Sequence, residues 1–260
     1  MASELNARQE REKAYHAIHA QRLTPAKPDI DILSALEPRP WNAYWEAVWR
    51  LRREDLGAKR ALVIGCGAGQ DAIVLRRLGA EVDAFDLSPD MLAVAKRRAV
   101  EADVDICFKE ASAEAMPYDQ ASFDLVFVRD ILHHVDIERT LLEISRIGKP
   151  GALLIVSEIY CHSSTRWLRQ HLVGWAAPFA HCLTGGGVYE TEDEEPLTER
   201  DMQKVRSVID VESERYFCAL AGRVAPQTER WGRIDCYLAG RRTGGRVLLI
   251  GHLVKEAKFS

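Results

Sequence analysis

What this 260-residue chain lacks narrows its chemistry before any motif is considered. Its six cysteines make no C-x-x-C pair and have no histidine at zinc-like spacing, so neither a disulfide framework nor a metal site is predicted. They read as reduced thiols of a cytoplasmic protein. No apolar run reaches the roughly 18 residues a membrane-spanning helix requires. The first twenty residues are charged and helix-prone, which predicts no signal peptide. Positive charge is not in excess: a net charge of −4 and a pI near 6.1 exclude a global attraction to nucleic acid. Repeats and low-complexity segments are absent, and nothing fixes an oligomeric state. What is left is 47% hydrophobic and 28% charged residues, enough for one large α/β domain with additions.

The most informative stretch is Ala61-Leu-Val-Ile-Gly-Cys-Gly-Ala-Gly-Gln-Asp71. Four apolar residues predict a buried strand, and Gly65, Gly67 and Gly69 let the backbone turn sharply before a helix begins. Such a junction presents unpaired N–H groups and the positive end of a helix dipole, which suit a carboxylate or phosphate. Two ligand classes compete for it. The dinucleotide fingerprint G-x-G-x-x-G needs Gly or Ala where this chain has Gln70, whereas G-x-G-x-G favours S-adenosylmethionine. The next strand, over 81–85, delivers Asp86 about twenty residues after the turn, where a carboxylate can accept hydrogen bonds from both hydroxyls of a ribose. Ser88-Pro89-Asp90 then signals a helix start, with Met91, Ala95 and Ala99 facing inward.

Strands alternate with helices through the rest of this half. Val104, Ile106 and Phe108 alternate as a third strand, Phe123 to Val128 is a fourth, and Ala152 to Val156 a fifth after a Pro/Gly turn at 148–151. This is the doubly wound pattern, in which ligands sit outside the carboxyl ends of the strands, and Arg129, Asp130, His133 and His134 fall at that edge. Residues 1–58 form an N-terminal helical cap. Its first helix, over 3–22, carries Tyr15, Ile18 and Leu23 on its apolar side, and with His16 it can fold over the cofactor site as a lid. Trp41, Trp45 and Trp49 mark a second helix. Residues 59–260 form the main domain, with a helical insertion at about 159–210. There Trp167, Leu168, His171, Leu172 and Trp175 suggest an amphipathic helix, and another starts near Thr198. Strands are expected over 211–218 and 246–254, and Arg223, Arg230, Arg233, Arg241 and Arg242 lie between them.

Six segments, in this order, resemble a class I S-adenosylmethionine-dependent methyltransferase. They are Val63 to Gly69, Phe85 to Leu92, Ser112 to Tyr118, Ser122 to Val128, Leu132 to Val135 and Lys149 to Gly151. The similarity is closest to the small-molecule branch that includes the ubiquinone and menaquinone enzymes, and it covers residues 58–158. The resemblance implies a Rossmann-like, seven-stranded, mostly parallel sheet whose last strand is antiparallel. It places the methionine end of the cofactor at Gly65, Cys66, Gly67 and Gly69, the ribose at Asp86, and the adenine beside Leu87, Ser112, Ala113 and Glu114. Gln70, Met91 and Arg129 complete the expected cofactor wall. Two positions depart from the family pattern: Val63 stands where an acid is usual, and Ser112 where an Asp often meets the adenine amino group.

Methyl transfer from a sulfonium needs alignment and removal of water, and a base only where the acceptor must lose a proton. His133 and His134 have the titration range for that task, with Asp130 placed to orient one of them or the acceptor. No Asn/Asp-Pro-Pro-aromatic tetrapeptide follows the fourth strand, which argues against base- and amide-methylating relatives, and no Pro-Cys nucleophile is present. The expectation is a methyltransferase acting on oxygen or carbon of a small apolar or aromatic acceptor. The alternatives are a nucleotide-dependent oxidoreductase and a non-catalytic cofactor-binding accessory protein.

Overall fold

Seven strands form one sheet in the order β3-β2-β1-β4-β5-β7-β6, in a computed structural model that describes residues 2–22, 31–162, 196–218 and 229–254. The strands are β1 (Arg60–Ile64), β2 (Glu81–Asp86), β3 (Cys107–Glu110), β4 (Phe123–Arg129), β5 (Gly148–Ile159), β6 (Ile209–Phe217) and β7 (Arg246–Leu253). β3, β2, β1, β4 and β5 pair in parallel, and β7 runs antiparallel to both β5 and β6. This is the doubly wound, Rossmann-like sheet with an antiparallel last strand that the motifs implied.

Alternation along each strand divides the core in two. In β1, Leu62 and Ile64 face one side, while Ala61 and Val63 face the other. The first side is covered by α6 (Ile137–Ile147) and α7 (Glu199–Ser207) through Leu141, Ile144, Met202 and Val205. The second is covered by α3 (Ala43–Leu51) and α4 (Gln70–Arg77) through Ala47, Leu51, Ala72 and Leu75. Both faces are closed, so the middles of the central strands are apolar, as at Ala61–Ile64 and Leu125–Val128. The helix α3 thus shares the core of the sheet, and Trp45 and Val48 close a smaller cluster with Val74 and Ile32 of the short α2 (Asp31–Ser34).

The helix starts follow their capping residues. Ser88 accepts from the Met91 N–H ahead of α5 (Pro89–Glu101), and Thr198 and Asp201 form a reciprocal capping box at the head of α7. The remaining helices are α1 (Ala2–Arg22) and α8 (Glu229–Leu238).

Three local expectations shift. The third strand begins at Cys107, with Val104 and Ile106 in its approach, because at the sheet edge it pairs with β2 alone. The Pro/Gly turn at 148–151 lies inside β5 as an irregularity between the Phe123↔Gly148 and Leu125↔Leu153 pairs, where Gly151 takes φ +79°. In α1, Ile18 is exposed. The helix instead docks on α5 through Ala20, which packs on Met91 and Val94, and this points the opposite side of the helix to solvent. The amphipathic helix expected around Trp167 to Trp175, Leu23 and Arg223 lie outside the described residues.

Candidate active site

The turn between β1 and α4 is built as its glycines require. Gly65, Gly67 and Gly69 all have positive φ. A Cβ on Gly65 would come within 2.8 Å of the Ile131 side chain, and one on Gly69 within 2.9 Å of Ala95 Cβ and 3.1 Å of its Cα. Backbone conformation and crowding therefore both select glycine there. Asp86 at the tip of β2 pins the turn: its Oδ2 accepts from the Gly67 N–H (2.7 Å) and its Oδ1 from the Ser88 N–H (2.9 Å). Each oxygen keeps a further lone pair for a ligand. The acid read from the sequence as a sugar ligand is thus also the brace that shapes the loop.

A cavity of about 370 Å³ opens over these strand ends. Of the residues singled out for a cofactor, Gly65, Cys66, Gly67, Gln70, Asp86 and Leu87 line it on the turn side. Met91, Ser112, Ala113, Glu114 and Arg129 line it elsewhere, while Gly69 supports the turn from behind against Ala95. Burial, helped by the negative charges of Asp86 and Asp71, pushes the Cys66 thiol well above its ordinary pKa, so this wall carries a neutral sulfur.

The Ser112 segment is tied down by its neighbours. Ser112 Oγ donates to Glu114 Oε2 (3.1 Å), and Glu114 Oε1 accepts from the Asp136 N–H (2.9 Å). Gln9 of α1 donates to the same Glu114 carboxylate at 2.8 Å, and Arg8 reaches the His133 carbonyl at 3.0 Å. The first helix therefore covers the cavity, with Arg8, Gln9 and His16 on its wall.

The three candidates for catalysis separate. His134 lines the cavity. His133 is buried beneath it, its Nδ1 2.7 Å from Glu158 Oε2, while Glu158 Oε1 accepts the N–H groups of Ile131 and Leu132. Glu158, fully buried, is the group that orients His133. Among the described residues, no hydrogen bond or ion pair joins Asp130 to either histidine. Its carboxylate pairs with Arg246 at 2.7 Å and approaches Arg129 at 3.5 Å, and its φ of +55° marks strain at the end of β4.

Arg129 and Asp130 also border a second cavity of about 580 Å³, whose other walls include Arg39, Trp41, Tyr44 and Arg246. The Arg129 Nε lies 2.9 Å from Asp71 Oδ2, and that carboxylate raises the guanidinium's pKa further above its ordinary value. Asp71, Glu158, Arg246 and Gln9 were missed from the sequence. The signal for Glu158 was present, since it stands at the carboxyl end of a core strand. Among the described residues, no helix is long and apolar enough to cross a membrane.

Residues 62–156 match the family model described as a methyltransferase domain. A demethylmenaquinone methyltransferase from Thermus thermophilus is 38% identical over 117 residues, which cover 42% of this chain and 53% of that protein. A ubiquinone biosynthesis O-methyltransferase from Xanthomonas oryzae is 36% identical over 109 residues, covering 41% and 46% respectively. The chain thus spans about half the length of these curated relatives. Across most of the chain the fold is also that of a geranyl diphosphate C-methyltransferase from Streptomyces coelicolor, solved with S-adenosyl-L-homocysteine. The TM-score is 0.61 at 15% identity, covering 95% of this chain and 98% of that one. By its motifs the segment 62–156 is similar to methyltransferase domains, and the sheet it belongs to has the fold of that solved methyltransferase.

Proposed function

We propose that this protein transfers a methyl group from S-adenosylmethionine to an oxygen or carbon of a small molecule, in the cytoplasm. The observation that carries this reading is the glycine turn pinned by Asp86 at the floor of a cavity over the strand ends, inside the segment that matches the methyltransferase model. The wall suits an adenosyl amino acid. It offers a buried carboxylate with lone pairs to spare for ribose hydroxyls, the apolar Leu87, Met91 and Ala113 for a flat base, and charges of both signs at Asp71 and Arg129. When bound, S-adenosylmethionine supplies an activated methyl group and a neutral leaving group.

The protein's share is then placement. Gly65 and Gly67 admit close backbone approach, Asp86 fixes the sugar, and α1 excludes water through Arg8, Gln9 and His16. The body of the acceptor occupies the second cavity, which meets the first at Arg129 and Asp130, and its attacking atom reaches into the first, whose wall carries His134. Its walls mix Trp41 and Tyr44 with arginines, so the acceptor carries polar groups on an aromatic or apolar body. For a hydroxyl acceptor, His134 takes the proton, and the His133–Glu158 pair holds the turn that presents it. The relatives named for menaquinone and ubiquinone methylation support an oxygen or carbon acceptor.

The test is transfer of label from methyl-labelled S-adenosylmethionine across a panel of phenols, enols and quinols. Label should appear in at least one acceptor and disappear with Asp86→Ala. Tight cofactor binding with no transfer to any acceptor would favour an accessory protein, and binding of a nicotinamide nucleotide in place of S-adenosylmethionine would favour an oxidoreductase.

A further inference from the structure

The charged end of the cofactor raises a problem that the glycine turn does not solve. Three of the turn's N–H groups are already donated within the protein: Cys66 to the Phe85 carbonyl, Gly67 to Asp86, and Gly69 to the Cys66 carbonyl. Val63, where the family pattern has an acid, is 1% exposed and packed in the apolar core. Val63 therefore offers no charge to an ammonium, and three N–H groups of the turn are already spent before a carboxylate arrives.

A second pair of groups offers both charges. Asp71, in the first turn of α4, has a side chain only 9% exposed and lines the cavity. Its Oδ2 accepts from Arg129 Nε, whereas its Oδ1 is buried and has no partner among the described residues. A buried carboxylate oxygen left in this way costs free energy unless something completes it. Arg129, across the same cavity wall, is held by Asp71 on one side and lies over the Tyr44 ring at 5.0 Å. An anion alone would be repelled by Asp71 and a cation alone by Arg129. A zwitterion satisfies both.

We propose that Asp71 and Arg129 form a two-headed clamp for the α-amino-acid end of the cofactor, with Asp71 Oδ1 taking the ammonium and the Arg129 guanidinium taking the carboxylate. This rests on the methyltransferase reading. The clamp makes Asp71 a specificity residue that distinguishes an amino-acid nucleoside from a nucleoside bearing an acid alone.

The experiment is binding calorimetry on the full chain with three ligands: S-adenosylhomocysteine, its analogue lacking the α-amino group, and its analogue lacking the carboxylate. Asp71→Asn keeps the shape and a hydrogen bond to Arg129, and thermal melting checks that it folds. It should weaken S-adenosylhomocysteine by about tenfold or more and leave the deaminated analogue unchanged. Arg129→Gln should weaken S-adenosylhomocysteine and the deaminated analogue, and spare the decarboxylated one. Equal losses on all ligands would make the pair merely structural and overturn the clamp, as would an unchanged affinity in Asp71→Asn. Should the unaltered protein bind no S-adenosylhomocysteine, the failure lies with the methyltransferase reading instead.

Discussion

The two halves of the sheet hold carboxylates and arginines of the same kinds, and they use them in opposite ways. On the β6–β7 side, Glu199 is saturated: Arg206 Nη1 reaches Oε1 at 2.7 Å, while Arg241 Nε (2.9 Å) and the Tyr160 hydroxyl (3.1 Å) donate to Oε2. Glu214 is likewise held by Arg206 and the Tyr216 hydroxyl. On the β1–β2–β4 side, Asp86 is bound by one backbone N–H at each oxygen, and Asp71 keeps one oxygen without a partner among the described residues at a cavity wall. The saturated cluster braces α7 against β6. Asp86 and Asp71, by contrast, keep acceptor capacity at the cavity wall.

The sharpest way to break this comparison is at the proton acceptor. With a hydroxyl acceptor, His134→Gln should lower kcat by about a hundredfold, the scale of general base catalysis, with cofactor affinity unchanged. Turnover that is unaltered in steady-state assays would remove His134 from the chemistry. Next is Asp86→Ala, which loses charge-assisted bonds of roughly 1.5–3 kcal/mol together with the brace on Gly67. Calorimetry should show cofactor affinity falling by roughly 10- to 100-fold.

Smaller and purely structural is Gly69→Ala. A left-handed backbone at φ +82° and a Cβ 3.1 Å from Ala95 Cα should cost about 1–3 kcal/mol in a denaturant titration. The smallest effect should come from the saturated side. Hydrogen bonds and charge from Arg241 and Arg206, with the Tyr160 hydroxyl, lower the Glu199 pKa from its ordinary 4.5 to about 2. Its stabilising contribution is then complete above pH 4.5 and fades as pH falls toward 2. Glu199→Gln should flatten the acid limb of stability in that window, read by thermal melts against pH, and leave cofactor binding untouched.

Local signals were legible in the sequence and distant partnerships were not. The strand, glycine turn and helix from Arg60 to Arg77, the acid at the tip of β2 and the caps at Ser88 and Thr198 each depend on residues a few positions apart. Asp71 pairs with a residue on β4, Glu158 with one in the turn after β4, and Gln9 with the loop after β3. No periodicity reports such contacts, because the sheet order brings them together. The same limit explains Ile18, whose helix faces α5 through Ala20 and the cavity through Arg8, Gln9 and His16. It also explains Asp130, which was expected to orient a histidine or the acceptor and whose carboxylate pairs across the sheet with Arg246 of the last strand.

The measurement that bears most directly on the central claim is a calorimetric titration of the unaltered protein with S-adenosylhomocysteine and, separately, with a nicotinamide dinucleotide. The account predicts saturable heat with the first, strongly reduced by Asp86→Ala, and none with the second. Heat with the dinucleotide alone, or S-adenosylhomocysteine binding indifferent to Asp86→Ala, would contradict it.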